Sequence, residues 1–213
     1  MPKDKKSSRP KQLMKKSTEN REKSIREKYL ILYHGTNKKN LEKIIKEGIK
    51  PRGKKKSNWE KGIGKSKSDL VYLTKCYACY YASMACKKDD DAPVVIKIKV
   101  DTEKMELFPD EEYVFRTLKK VWAKYSEKNQ IEFYNKINPR ECNSKTRAIW
   151  KESLDYMGTV CAEYIPVSCI IGYAEGKGFE FIRNCDPSIS LSNFQMMSER
   201  YIDYLESLEY KSV

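Results

Sequence analysis

Tyr29-Leu30-Ile31-Leu32-Tyr33 is a short apolar run, β-branched or aromatic in character, with charge before it and His34-Gly35-Thr36 after it. A run of that length with those flanks predicts a buried strand. His34 is the only histidine in the chain. At the end of such a strand it presents one exposed polar group where ligand sites tend to form. A second landmark, Asp69-Leu70-Val71-Tyr72-Leu73-Thr74, has the same form: a short apolar strand closed by a hydroxyl.

Each strand leads into a helical pattern. Thr36 or Asn37 can cap a helix through about Glu47, with Leu41, Ile44 and Ile45 on one face and Gly48 as its stop. Thr74 can cap a second over Lys75 to Cys86, where Ala78, Tyr81, Ala82 and Ala85 share a face. Val94 to Val100 alternates as a half-exposed strand does, and Met105-Glu106-Leu107 suggests a short one. Asp110 opens a helical pattern through Val114, Phe115, Leu118, Val121, Trp122 and Tyr125; a weaker helix surrounds Ile131 to Ile137, and Ser144 opens another that Gly158 stops. Strand-like runs follow at Thr159 to Tyr164, Ser168 to Tyr173 and Phe179 to Arg183, and a final amphipathic helix follows Ser192. Strands and helices interleave irregularly, which predicts an α+β domain over residues 29–213 with a helical insertion at about 110–157.

Charge is unevenly placed. The 213 residues carry 43 Lys or Arg against 30 Asp or Glu, a net of +13. Residues 1–28 alone hold eleven Lys or Arg and four Asp or Glu, a net of +7, with almost nothing apolar. That composition predicts a disordered basic arm that tethers electrostatically or only aids solubility. Residues 50–68 form a loop with eight basic residues, Glu60 as the single acid, and Trp59. The excess favours anionic partners and leaves their identity open.

Several classes are excluded or disfavoured. No stretch approaches the roughly 20 apolar residues needed to span a bilayer, no hydrophobic segment follows the basic start as in a secretory signal, and no Gly-rich phosphate or dinucleotide fingerprint occurs. The seven cysteines are odd in number. The expectation is an intracellular protein, cytoplasmic or nuclear, with reduced thiols. Cys76-x-x-Cys79 with Cys86 lacks an evident fourth ligand, so no metal is expected and the cysteines read as small buried hydrophobes.

Tyr33-His34-Gly35-Thr36, the helix ending in Glu47-Gly48-Ile49-Lys50-Pro51, and Val71-Tyr72-Leu73-Thr74 with Ala78 and Tyr81 resemble the ADP-ribosyltransferase superfamily. The resemblance covers about residues 29–183. It is to the branch of poly(ADP-ribose) polymerases and diphtheria toxin, whose signature is a His, a Tyr and a Glu on three separate strands. Cys161-Ala162-Glu163-Tyr164-Ile165 resembles the Glu-Tyr-Ile segment of the polymerase-like members.

The resemblance implies a split, antiparallel-rich β-sheet sandwich with flanking helices that binds NAD between its halves. His34 would bond a ribose hydroxyl, the Gly35 backbone would hold the nicotinamide carboxamide with Thr36 beside it, Tyr72 would match the signature tyrosine, and Tyr81, with Tyr80 as the alternative, would stack on the nicotinamide. Glu163 would be the catalytic carboxylate. The implied activity is transfer of ADP-ribose from NAD to a macromolecular acceptor, protein or nucleic acid, with Lys54, Lys55, Lys56 and Trp59 as acceptor or nucleic-acid contacts. Two other readings stand beside it: a non-catalytic nucleic-acid-binding module on the same fold, and an RNA 2′-phosphotransferase, whose site generally needs further His and Arg.

Overall fold

The computed structural model describes residues 28–54, 66–86, 91–117, 126–143, 148–176 and 194–213. The element order is β1 (Tyr29–Asn37), α1 (Lys38–Glu47), β2 (Val71–Thr74), α2 (Ala78–Ala85), β3 (Pro93–Asp101), β4 (Phe108–Pro109), α3 (Glu111–Thr117), α4 (Glu127–Lys136), α5 (Ile149–Met157), β5 (Thr159–Ala162), β6 (Ile170–Glu175) and α6 (Phe194–Ser207). The expected α+β class is observed. The described strands form one six-stranded sheet in the order β4-β5-β2-β1-β3-β6, with every neighbouring pair antiparallel.

That sheet is not uniformly joined. β1 and β3 pair over nine positions, from Tyr29↔Asp101 to Asn37↔Pro93. β2 and β5 pair over their full length, from Val71↔Ala162 to Thr74↔Thr159. Between the two blocks, β1 and β2 share the single register pair Tyr33↔Thr74. Where a sandwich of two sheets was expected, the described strands thus make one sheet whose halves, β4-β5-β2 and β1-β3-β6, meet at a narrow joint.

Alternation along the strands builds two cores. Leu32, Leu73, Ile96, Ile98, Val160 and Ile165 form one with Leu41 and Ile44 of α1 and Leu154 of α5. Tyr33 and Val95 turn to the other face, against Ala78, Cys79 and Ala82 of α2 and Tyr201 and Leu205 of α6. Each large apolar side chain removed from water in this way contributes roughly 1.5–3 kcal/mol.

Local chemistry sets the boundaries. β1 continues to Asn37 because β3 pairs with it throughout, so His34, Gly35 and Thr36 lie inside the strand rather than past its end. Asn37 then caps α1 by accepting from the Asn40 N–H at 3.2 Å, and Gly48, at φ 76°, closes it. α2 starts at Ala78, later than expected, since the Thr74 hydroxyl first accepts the N–H groups of Cys76 and Tyr77 at 3.1 and 3.0 Å. β4 is Phe108–Pro109, just beyond the expected Met105–Leu107. A 3-10 turn at Val167–Cys169 follows Pro166 and delays β6 to Ile170. The expected strand at Phe179 to Arg183, the basic residues 1–27 and the stretch Leu118 to Tyr125 lie outside the described residues.

α2, the helix that follows β2, lies on β1 across the joint. At Gly35 an added Cβ would stand 2.3 Å from the Ala78 carbonyl oxygen and 2.4 Å from the Ala82 nitrogen, both backbone atoms that cannot swing aside. Asn37 ties the far end of the helix by donating to the Ala85 carbonyl at 2.9 Å. Gly35→Ala is therefore expected to cost about 3 kcal/mol and to lower Tm by about 5–10 °C, as read by thermal unfolding; an unchanged Tm would contradict this packing.

Candidate functional site

The joint brings the first two motifs together. His34 Nδ1 lies 3.0 Å from the Tyr72 carbonyl oxygen. A carbonyl only accepts, so Nδ1 is the donor and Nε2 is left with its lone pair. The ring is half-buried, and burial lowers its pKa from the ordinary value. At neutral pH His34 is accordingly an uncharged acceptor at Nε2, suited to receive a hydroxyl proton and unsuited to pair with an anion. Thr36 is buried, with Oγ1 accepting from Asn40 Nδ2 at 3.3 Å, which ties β1 to α1.

Tyr72 projects from β2 into a different set of partners. Its hydroxyl accepts from the Lys67 N–H at 2.6 Å and donates to the Glu111 carboxylate, whose oxygens lie at 2.7 and 2.8 Å. Tyr81 is half-buried, with its ring edge-on to Tyr77 at 6.4 Å. Burial raises the pKa of both phenols, and the charge of Asp110 raises each further. Tyr80 lies against the core cluster that holds Tyr33, Val95 and Tyr201, and its ring is edge-on to Tyr81 at 5.8 Å.

Glu163 stands one residue past the end of β5, and its side chain is 65 % exposed. Arg140 Nε donates to it at 2.8 Å, while Nη1 of the same guanidinium donates to Asp69 Oδ2 at 2.8 Å. The register places Ala162 opposite Val71 and Cys161 opposite Tyr72, so Glu163 lies beyond the first residue of β2 and is bonded to neither His34 nor the Tyr72 phenol. Its neighbours are pinned: Tyr164 donates to the Glu47 carbonyl at 2.7 Å, and Ile165 bridges Ile49. Beside Arg140 lies a cleft of about 300 Å³ lined by Lys67, Asp69, Asn138 and Arg140 among others.

Two carboxyls escaped the sequence reading. Glu111, at 1 % exposure, is buried beneath Tyr72, and its pKa is pushed up to about 7, first by burial and then by the charge of Asp110. Burial also raises Asp110, whose Oδ1 accepts the Glu112 N–H at 2.9 Å. Asp110-Glu111-Glu112 looks like an ordinary acidic first turn. The available signal was spacing, since Glu111 precedes the buried Phe115 by four residues and so falls on the apolar face.

Lys54 is exposed, while Lys55, Lys56 and Trp59 lie outside the described residues. Cys76, just before α2, and Cys79, within it, are buried in the core. Among the described residues, no group of three or more His, Cys, Asp or Glu is placed to hold a metal ion, and no helix is long and apolar enough to cross a membrane. No protein-family model matches the chain, and no curated protein matches it.

A raised pKa means that the folded protein holds the Glu111 proton more tightly than the unfolded chain. Its contribution is present in full below the ordinary value of 4.5 and is lost as pH rises through about 7. Relative to Glu111→Gln, the wild type is expected to lose about 3 kcal/mol across that interval, measured by urea unfolding at a series of pH values. A difference that stays flat from pH 4 to 8 would contradict it.

Proposed function

We propose that the chain transfers ADP-ribose from NAD to a macromolecular acceptor, protein or nucleic acid, with release of nicotinamide. The observation that carries this reading is the joint. His34 and Tyr72, 38 residues apart, meet where β1 and β2 part, bonded at 3.0 Å. Glu163 comes from the end of the next strand, so the three residues of the resemblance occupy β1, β2 and the end of β5, which are neighbours in the sheet.

The chemistry follows from the groups. The bond that breaks joins ribose C1 to the nicotinamide nitrogen, and positive charge builds on the sugar as in other oxocarbenium-like glycoside cleavages. His34 Nε2 receives a ribose hydroxyl and fixes the sugar, while the Gly35 backbone at the joint holds the carboxamide. Tyr72 and Tyr81 enclose the nicotinamide. Glu163 stabilises the developing charge and takes the acceptor proton as the new bond forms at C1. To do so its carboxylate leaves Arg140, a surface pair of the kind that contributes about 0–1 kcal/mol, so the exchange is cheap.

The Glu163–Arg140 pair also supports a second reading, a binding module in which the carboxylate serves the fold alone. Incubating labelled NAD with wild type, His34→Ala and Glu163→Gln, offering protein, DNA and RNA, separates the two. The expected outcome is nicotinamide release by wild type, a fall of about 100-fold or more in Glu163→Gln, and weakened NAD binding in His34→Ala. Absence of release by wild type, with intact nucleic-acid binding, would favour the module.

A further inference from the structure

We propose that Glu111 is a positioning residue of the dinucleotide site, acting through the Tyr72 phenol; this rests on the NAD reading above. The Tyr72 hydroxyl is held from two directions by segments far apart in sequence. The Lys67 N–H donates to it at 2.6 Å from the segment before β2, and both oxygens of Glu111 receive it at 2.7 and 2.8 Å from the first residue of α3. The phenol oxygen is thereby fixed in place, so the side chain cannot swing about its Cα–Cβ bond without giving up both contacts. β2 alone, four residues long, would leave that swing free.

The carboxyl stands in a costly place. It is 1 % exposed, on the face of α3 that also carries the buried Phe115. No ion pair among the described residues reaches it, and a carboxyl in such surroundings is tolerated only when hydrogen-bonded. The groups that face it are the Tyr72 phenol and Cys161 from the sheet, the Tyr134 hydroxyl from α4, Lys67, and Asp110 and Glu112 of its own segment. A leucine would fill the same apolar face at lower cost, so what the carboxylate supplies is the fixed direction of the tyrosine hydroxyls. Of the two, Tyr72 is the residue whose backbone carbonyl accepts from His34 Nδ1.

The test measures kcat and KM for nicotinamide release from NAD, and NAD affinity by calorimetry, for Glu111→Leu and Glu111→Gln in both the wild-type and Tyr72→Phe backgrounds. Loss of this hydrogen bond is expected to raise KM and Kd for NAD about 10-fold or more in Glu111→Leu, with kcat much less affected. Glu111→Gln keeps an acceptor and should restore most of the affinity. In the Tyr72→Phe background neither substitution should have a further effect. An unchanged KM in Glu111→Leu, or the same increase with Tyr72→Phe, overturns the role of Glu111 and leaves the NAD reading intact. A wild type that neither binds NAD nor releases nicotinamide overturns both.

Discussion

Everything in the site depends on the place where β1 and β2 stop pairing. One register pair, Tyr33↔Thr74, joins β1 to β2, whereas β1 with β3 and β2 with β5 are each laddered throughout. Immediately beyond it the Tyr72 carbonyl accepts from the His34 ring. A side chain thus takes part in holding two strands together, and its other nitrogen is left to do something else. Because buried backbone groups are costly to leave unpaired, such a joint persists only if side chains and packing secure it. α2 does so from one face, seated directly on Gly35 and tied to Asn37.

The two glutamates near this joint are physically different. Glu163 is exposed and held by a guanidinium that also serves Asp69, a surface pair that can exchange partners at small cost. Glu111 is enclosed, shares its surroundings with Asp110, and makes its short contacts to phenols. The first suits a group that must meet an incoming cationic sugar. The second suits a group that must not move.

Much of the frame was legible in the sequence. The apolar runs at Tyr29–Tyr33 and Val71–Thr74, the Asn37 cap and the Gly48 stop all rest on local rules, and all are present in the structure. Local rules failed where tertiary pairing decided the outcome. β1 runs on through His34-Gly35-Thr36 because β3 accompanies it, and nothing in those residues alone reveals that partner. Arg140 as the partner of Glu163 was equally hidden, since the two are brought together by the turn after α4 and not by spacing. Glu111 did leave a trace, a carboxylate on an apolar helix face, but an acidic first turn is so ordinary that the trace is lost in it.

His34 is the only histidine, so a tag-free protein yields a single imidazole in a long-range proton–nitrogen spectrum, and adding NAD reads the joint directly. A neutral ring protonated at Nδ1 is expected throughout, with the Nε2 resonance shifting in a saturable way as a ribose hydroxyl bonds to it while the Nδ1 signal holds its place. An imidazole whose two nitrogens remain unmoved at millimolar NAD would contradict the claim that this joint is a dinucleotide site.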